Sequence, residues 1–185
     1  DTLTSRGELY IEIYMDGSHT PNPAWNGPRH AGWAFVVVSN LPIDIGYGCT
    51  ALAGRFVISE RWGPVSTDAE NAAWIGATKH SFNTGEISAF VEALLWVHTE
   101  APAVIRTEPR SFRWDSTLSG KQTSGDWEVK AESVNRELAD TAHLLWRCLF
   151  ADEFPIFSSW VRGHSDDPFN DRVDGRASEG AFGFR

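Results

Sequence analysis

Apolar residues in this chain recur first at every second position and later at every third or fourth. That succession limits the fold to a sheet covered by helices. Leu9, Ile11, Ile13 and Met15 fall on one side of an extended segment, with Tyr10, Glu12 and Tyr14 on the other. Asp16-Gly17-Ser18 is read as the end of this strand. The stretch from His19 to His30, with Pro21, Asn22, Pro23, Asn26, Gly27 and Pro28, is read as a loop. Gly32 to Val38 then forms a second strand, paired with the first as a long-looped hairpin. Between Leu41 and His80, strand-like stretches near Ala51 to Ile58 and Ala72 to Ala77 are separated by Gly63-Pro64, which predicts a third strand and an insertion over roughly 41–75.

The period then changes. Asn83 or Thr84 is expected to cap a helix running to about His98. At about 100° per residue, Ile87, Phe90, Val91, Ala93, Leu94 and Val97 share one arc that packs on the sheet. Glu86 lies at the edge of that arc, whereas Glu92 lies opposite its centre and is read as solvated. Ser111 to Trp114 is a short strand ending at Asp115, followed by a helical or turn region to about Gly125 and a helix from about Glu128 to Phe150. Pro155 to Val161 is the last strand. Gly163-His164 opens a loop containing Asp166, Asp167 and Pro168, and a final helix starts near Asn170. The order strand, strand, strand, helix, strand, helix, strand, helix predicts an α/β fold, one five-stranded mixed sheet flanked by helices.

With 185 residues and 42% hydrophobic content, the chain is expected to be a single domain, 1–185. No apolar run reaches the roughly 18 residues of a membrane span, and the N-terminus has no signal-peptide pattern. The expectation is an intracellular location, nuclear or cytoplasmic, with no export and no membrane partner. The single methionine, Met15, lies inside a strand, which suggests a domain excised from a longer polypeptide. Cys49 and Cys148 have no metal-site spacing and are read as buried, inert thiols. His19, His30, His80, His98 and His143 also lack ligand spacing and are assigned to surface or core packing. A net charge of -9 counts against generic nucleic-acid affinity. A carboxylate cluster that binds divalent cations offsets part of that charge.

Asp16, Glu86 and Asp115 stand at the ends of elements, and Asp174 falls in the first turns of the last helix. Taken singly each has an ordinary explanation: a turn residue for Asp16, a helix cap for Asp115, the helix dipole for Glu86, a solvated acid for Asp174. Asp171 and the Asp166-Asp167 pair are read as solvated. Several carboxylates brought together hold hard ions such as Mg²⁺ and, as a pair of ions, clamp an in-line displacement at phosphorus.

The local settings of the four acids resemble those of the type I ribonuclease H family. Ile-Tyr-Met-Asp16-Gly-Ser is similar to the family's first strand, and Asn83-Thr84-Gly85-Glu86 with the later Ala-Leu-Leu-Trp to its first helix. Phe-Arg-Trp-Asp115-Ser116 and Trp160-Val-Arg-Gly-His164, followed by Asn170 and Asp174, are similar to its remaining motifs. The resemblance covers nearly the whole chain and implies two-metal hydrolysis of the RNA strand of RNA/DNA hybrids, leaving 5′-phosphate and 3′-hydroxyl ends. It further implies two Mg²⁺, or Mn²⁺, with Asp16 bridging both ions. Asp174 would help hold the ion that activates water, and Glu86 and Asp115 the ion near the leaving oxygen. His164 resembles the family's proton-transfer or product-release histidine. Substrate contacts are implied at Gly17, Ser18, Asn22, Asn83, Ser116 and Asn170.

Phe82 stands where many members have asparagine, with Asn83 beside it. Lys121, Lys130 and Arg136 are scattered among acids, so no basic protrusion supplies grip. The domain most resembles those of non-long-terminal-repeat retrotransposon polyproteins, in which an attached reverse transcriptase is the expected partner. Two other functions remain: a catalytically silent hybrid-binding scaffold, and a DNA-directed nuclease of the same superfamily.

Overall fold

The computed structural model describes residues 9–20, 30–103, 110–114, 123–124, 135–151, 156–160 and 166–183. Within them lie β1 (Ile11–Thr20), β2 (His30–Ser39), β3 (Thr50–Leu52), β4 (Arg55–Pro64), α1 (Phe82–Thr99), β5 (Arg110–Trp114), α2 (Arg136–Ala151), β6 (Ile156–Trp160) and α3 (Pro168–Ala181). The strands form one sheet in the order β3-β4-β2-β1-β5-β6. β1 pairs antiparallel with β2 and parallel with β5, and β5 pairs parallel with β6, so the sheet is mixed as expected. The five expected strands are present, and β3 adds a three-residue edge strand joined to β4 through Ala53-Gly54.

Helices cover both faces of the sheet. Ile11, Ile13, Met15, Phe35, Val37 and Ile58 point toward α1, where they meet Phe90, Leu94 and Val97. On the other face Tyr14, Ala34, Val36 and Val57 meet Phe169, Val173 and Ala177 of α3. The alternating faces of β1 are thus both buried, and Glu12, at 7% exposure, is buried along with its apolar neighbours.

Burial on both sides carries β1 past the expected stop. Asp16, Gly17 and Ser18 stay in the ladder opposite Ala34, Trp33 and Gly32, and the strand runs on to Thr20. A local turn preference yields here to ten consecutive cross-strand pairs. The stretch 72–77 forms turns rather than a strand, with Ala73 and Trp74 both bonded back to Asn71.

α1 starts earlier than its pattern suggests. Its N-cap is Ser81, whose hydroxyl accepts from the Thr84 amide, in place of Asn83 or Thr84. Thr84 is fully buried and donates to Asn135 Oδ1 at 2.9 Å, tying the first turn of α1 to the start of α2. Every apolar residue of the expected arc is buried. Ala89 and Trp96 are buried as well, in the core between α1 and the sheet, with the Trp96 ring 5.8 Å from that of Phe35, while α2 covers Ile87 and Val91. Glu92, read as solvated, is half-buried and lines, with Trp33, Ile75 and Leu95, a groove of about 500 Å³.

Asp167, read as a solvated acid, is the N-cap of α3 and accepts from the amides of Phe169 and Asn170. Pro168 follows it at the first helical position, where its missing N–H is harmless. Cys49 and Cys148 are exposed rather than buried. Among the described residues no helix is long and apolar enough to cross a membrane.

Candidate active site

The site is organised by backbone contact. Gly17 has no space for a side chain: a Cβ there would fall inside the backbone of Gly85 and Glu86. Gly85 in turn lies against Ser18 and Gly32, a Cβ on it coming within 2.7 Å of the Gly32 oxygen. The first turn of α1 therefore rests directly on the end of β1, and the residues that follow in each case bring Asp16-Gly17 against Gly85-Glu86. Two acids seventy positions apart in sequence thus sit on touching backbones. Asp16 is 3% exposed and accepts from the Gly17 amide at 2.8 Å, while Glu86 is half-buried.

α3, which carries Asp174, crosses the other face of β1. Side chains alternate along β1, so Tyr14, Asp16 and Ser18 face α3. Tyr14 packs against Phe169 with ring centroids 5.6 Å apart, and Ser18 Oγ lies 3.4 Å from Ser178 Oγ. Asp16 is therefore level with the middle of α3, where Asp174 sits exposed, one turn before Ser178. Asn170, one turn before Asp174, is 2% exposed, and its Oδ1 is buried without a hydrogen-bond partner among the described residues.

A polar network underlies these acids. Glu12, four positions before Asp16, is paired with Arg55 and lies 3.2 Å from Arg113 Nε. It also accepts from the Tyr14 hydroxyl, which reaches Asp167 at 3.4 Å. Burial, and then the negative charge of Glu12, push the Tyr14 phenol far above its ordinary range. On the outer side, Arg172 and Arg176 of α3 clamp Glu60 of β4. Burial alone would raise the Glu60 pKa, but these hydrogen bonds and charges bring it below the usual carboxylate value. Arg176 also lies over the Trp62 ring at 4.2 Å. Sequence reasoning missed Glu12, Arg55 and Asp167; the local hints were an acid at an interior strand position for Glu12 and the following Pro168 for Asp167.

Of the other residues singled out in the sequence, Asn83 is exposed in the first turn of α1, and Ser18 is 4% exposed. Asn22, Asp115, Ser116 and His164 lie outside the described residues. β5 ends at Trp114, immediately before Asp115, and its parallel pairing with β1 reaches Tyr14↔Arg113. Among the described residues no three His, Cys, Asp or Glu side chains form a group able to hold a metal. The chemistry of Asp16, Glu86 and Asp174 nevertheless fits a hard divalent cation, being all carboxylate oxygen. The orphaned Asn170 oxygen, on the same row of α3 as Asp174, is a further acceptor suited to such an ion's water shell.

No family model matches the chain. Two proteins named Ribonuclease H are similar along nearly its whole length. The one from Parvibaculum lavamentivorans is 26% identical over 178 residues, spanning 94% of this chain and 93% of that protein. The one from Treponema pallidum is 28% identical over 181 residues, spanning 92% and 90%. Among solved structures, LC11-RNase H1 in complex with an RNA/DNA hybrid superposes with a TM-score of 0.53 at 19% identity, over 92% of this chain and 96% of that one. The prototype foamy virus protease-reverse transcriptase superposes with a TM-score of 0.59 at 16% identity, over 96% of this chain and 21% of that one. In fold, and in the relatives that match it from end to end, the chain is similar to the ribonuclease H family.

Proposed function

We propose that the chain is a ribonuclease H, a hydrolase that cuts the RNA strand of RNA/DNA hybrids. The observation that carries this reading is the backbone contact of Gly17, the residue after Asp16, with Gly85 and Glu86, within a fold whose end-to-end relatives bear that name. Asp16, Glu86, Asp115 and Asp174 would hold two divalent ions, Mg²⁺ or Mn²⁺. Such ions, when bound, polarise the phosphate and lower the pKa of a coordinated water.

The chain's own residues position the reaction. Asp16 is fixed by its place in the ladder and by the Gly17 amide, and Glu86 by the capped first turn of α1. Asp174 rides on α3, which Asp167 and Arg172 anchor to the sheet. His164 would exchange a proton with the departing product near neutral pH. Gly17, Ser18, Asn22, Asn83, Ser116 and Asn170 would line the hybrid, and contacts to the 2′-hydroxyl select RNA over DNA.

The test is cleavage of an end-labelled hybrid in Mg²⁺. Asp16→Asn and Asp174→Asn should each lower the rate by more than the roughly 10–100-fold that loss of an outer metal contact costs. A pure, folded wild type that binds hybrid without cutting it in Mg²⁺ or Mn²⁺ would instead be a silent scaffold. Faster cutting of duplex DNA would make it a DNA-directed nuclease. A retroelement setting, with an attached reverse transcriptase lending grip, is favoured by the foamy virus likeness and by the internal pairing of Arg55, Arg61, Arg172 and Arg176. Hybrid affinity that rises when the chain is joined to its natural neighbour would support that setting.

A further inference from the structure

Among the described residues the exposed large apolar side chains are Tyr47, Phe82 and Leu144. Tyr47 is engaged by Arg61, through its hydroxyl at 2.5 Å and across its ring face at 5.4 Å. Leu144 lies on the outer side of α2. Phe82 differs from both in its place. It is the first residue of α1, one helical turn before Glu86 and on the same row of that helix, and it is 55% exposed.

Its ring is also held. His19, three residues beyond Asp16 on β1, meets it edge to face with centroids 5.6 Å apart. The backbone contact of Gly85 with Ser18 keeps the two rings together, because it fixes the start of α1 over the end of β1. An aromatic ring backed by His19 and more than half exposed therefore stands one helical turn before Glu86.

We infer that Phe82, backed by His19, contacts the substrate, packing its exposed ring on a sugar in the minor groove of the hybrid. This rests on the ribonuclease H reading and deepens it. The helical groove of such a duplex is wide and shallow and displays sugars and base edges, surfaces on which an apolar ring packs. In a chain of net charge -9, whose Arg55, Arg61, Arg172 and Arg176 are paired internally, an uncharged contact supplies grip that phosphate neutralisation does not. A phenyl ring makes no hydrogen bond to a 2′-hydroxyl. Phe82 therefore contributes affinity, and the distinction between RNA and DNA falls to polar neighbours such as Asn83.

The experiment measures hybrid binding by fluorescence anisotropy across a salt series, in an Asp16→Asn background so that substrate stays intact. Phe82→Ala should weaken binding about tenfold, in the range that loss of an aromatic contact to a nucleotide produces. The slope of log K against log salt should be unchanged, since no phosphate contact is lost. Phe82→Trp should restore affinity, and Phe82→Leu should fall between. With Asp16 intact, Phe82→Ala should raise KM and leave kcat within about twofold, with an unchanged melting temperature.

Equal affinity of Phe82→Ala and wild type, in a protein that binds and cuts hybrid, overturns the ring's role and leaves the enzyme reading standing. A fall in kcat with unchanged KM also overturns it, assigning Phe82 to the support of Glu86. Failure of the wild type to bind hybrid at all overturns both readings. Should Phe82→Ala not fold, the comparison of Phe82→Leu with Phe82→Trp decides in the same way.

Discussion

Gly17 shows how little room the site leaves at single positions. Replacing it with alanine places a methyl group inside the backbone of Gly85 and Glu86, and neither element can move without breaking paired β1 or capped α1. Gly17→Ala is expected to destabilise the fold by at least about 2 kcal/mol, read as a lower denaturant midpoint at unchanged slope. The histidines at the end of the hairpin carry a second expectation. Burial lowers the pKa of His30, with the charge of His19 next, and burial followed by His30 and His19 lowers that of His80. The His80 Nδ1 also accepts from the Ala31 amide, an interaction that requires the unprotonated nitrogen. Because both folded-state pKa values lie below the ordinary one near 6.5, the unfolded chain binds more protons. Their stabilising contribution is complete above that value and is lost as pH falls through the folded-state values. The melting temperature should therefore drop between pH 7 and pH 5, and less steeply in His80→Asn. An equal drop in that variant would assign the pH dependence to other groups.

At the scale of elements, legibility followed the range of the forces involved. The core face of α1 was readable because its apolar positions answer to one period. Its cap was not, because Ser81 and Thr84 are selected together with Asn135, over fifty positions away. The end of β1 was misplaced for a related reason. Asp-Gly-Ser favours a turn locally, yet the glycine is there so that a helix can lie on the strand. Asp167 was misread although Pro168 beside it is a recognisable mark of a helix start. Ala72 to Ala77 shows the reverse error, an apolar run that turns instead of pairing. The carboxylates were singled out through the motifs around them, and periodicity contributed only the inward bearing of Glu86. Exposure of Cys49 and Cys148 left no trace in sequence, since both residues depend on what long-range packing leaves uncovered.

For the molecule as a whole, charge and metal are linked. On the proposed function, divalent ions held by Asp16, Glu86, Asp115 and Asp174 should stabilise a chain of net charge -9. Millimolar Mg²⁺ should raise the melting temperature relative to excess EDTA, by about 2.7 kcal/mol of stability at a hundredfold excess over Kd. EDTA should also abolish cleavage. The thermal shift should vanish in Asp16→Asn; its persistence there would mean diffuse screening rather than a site. The contact between Gly17 and Gly85 has its own signature across a library of all single variants. Every replacement at those two positions should be depleted even when cells are selected only for soluble protein. Position 16 should tolerate asparagine under that selection and lose it only when survival depends on cutting. The two kinds of intolerance, geometric and chemical, would then appear as adjacent columns that separate when the selection is changed.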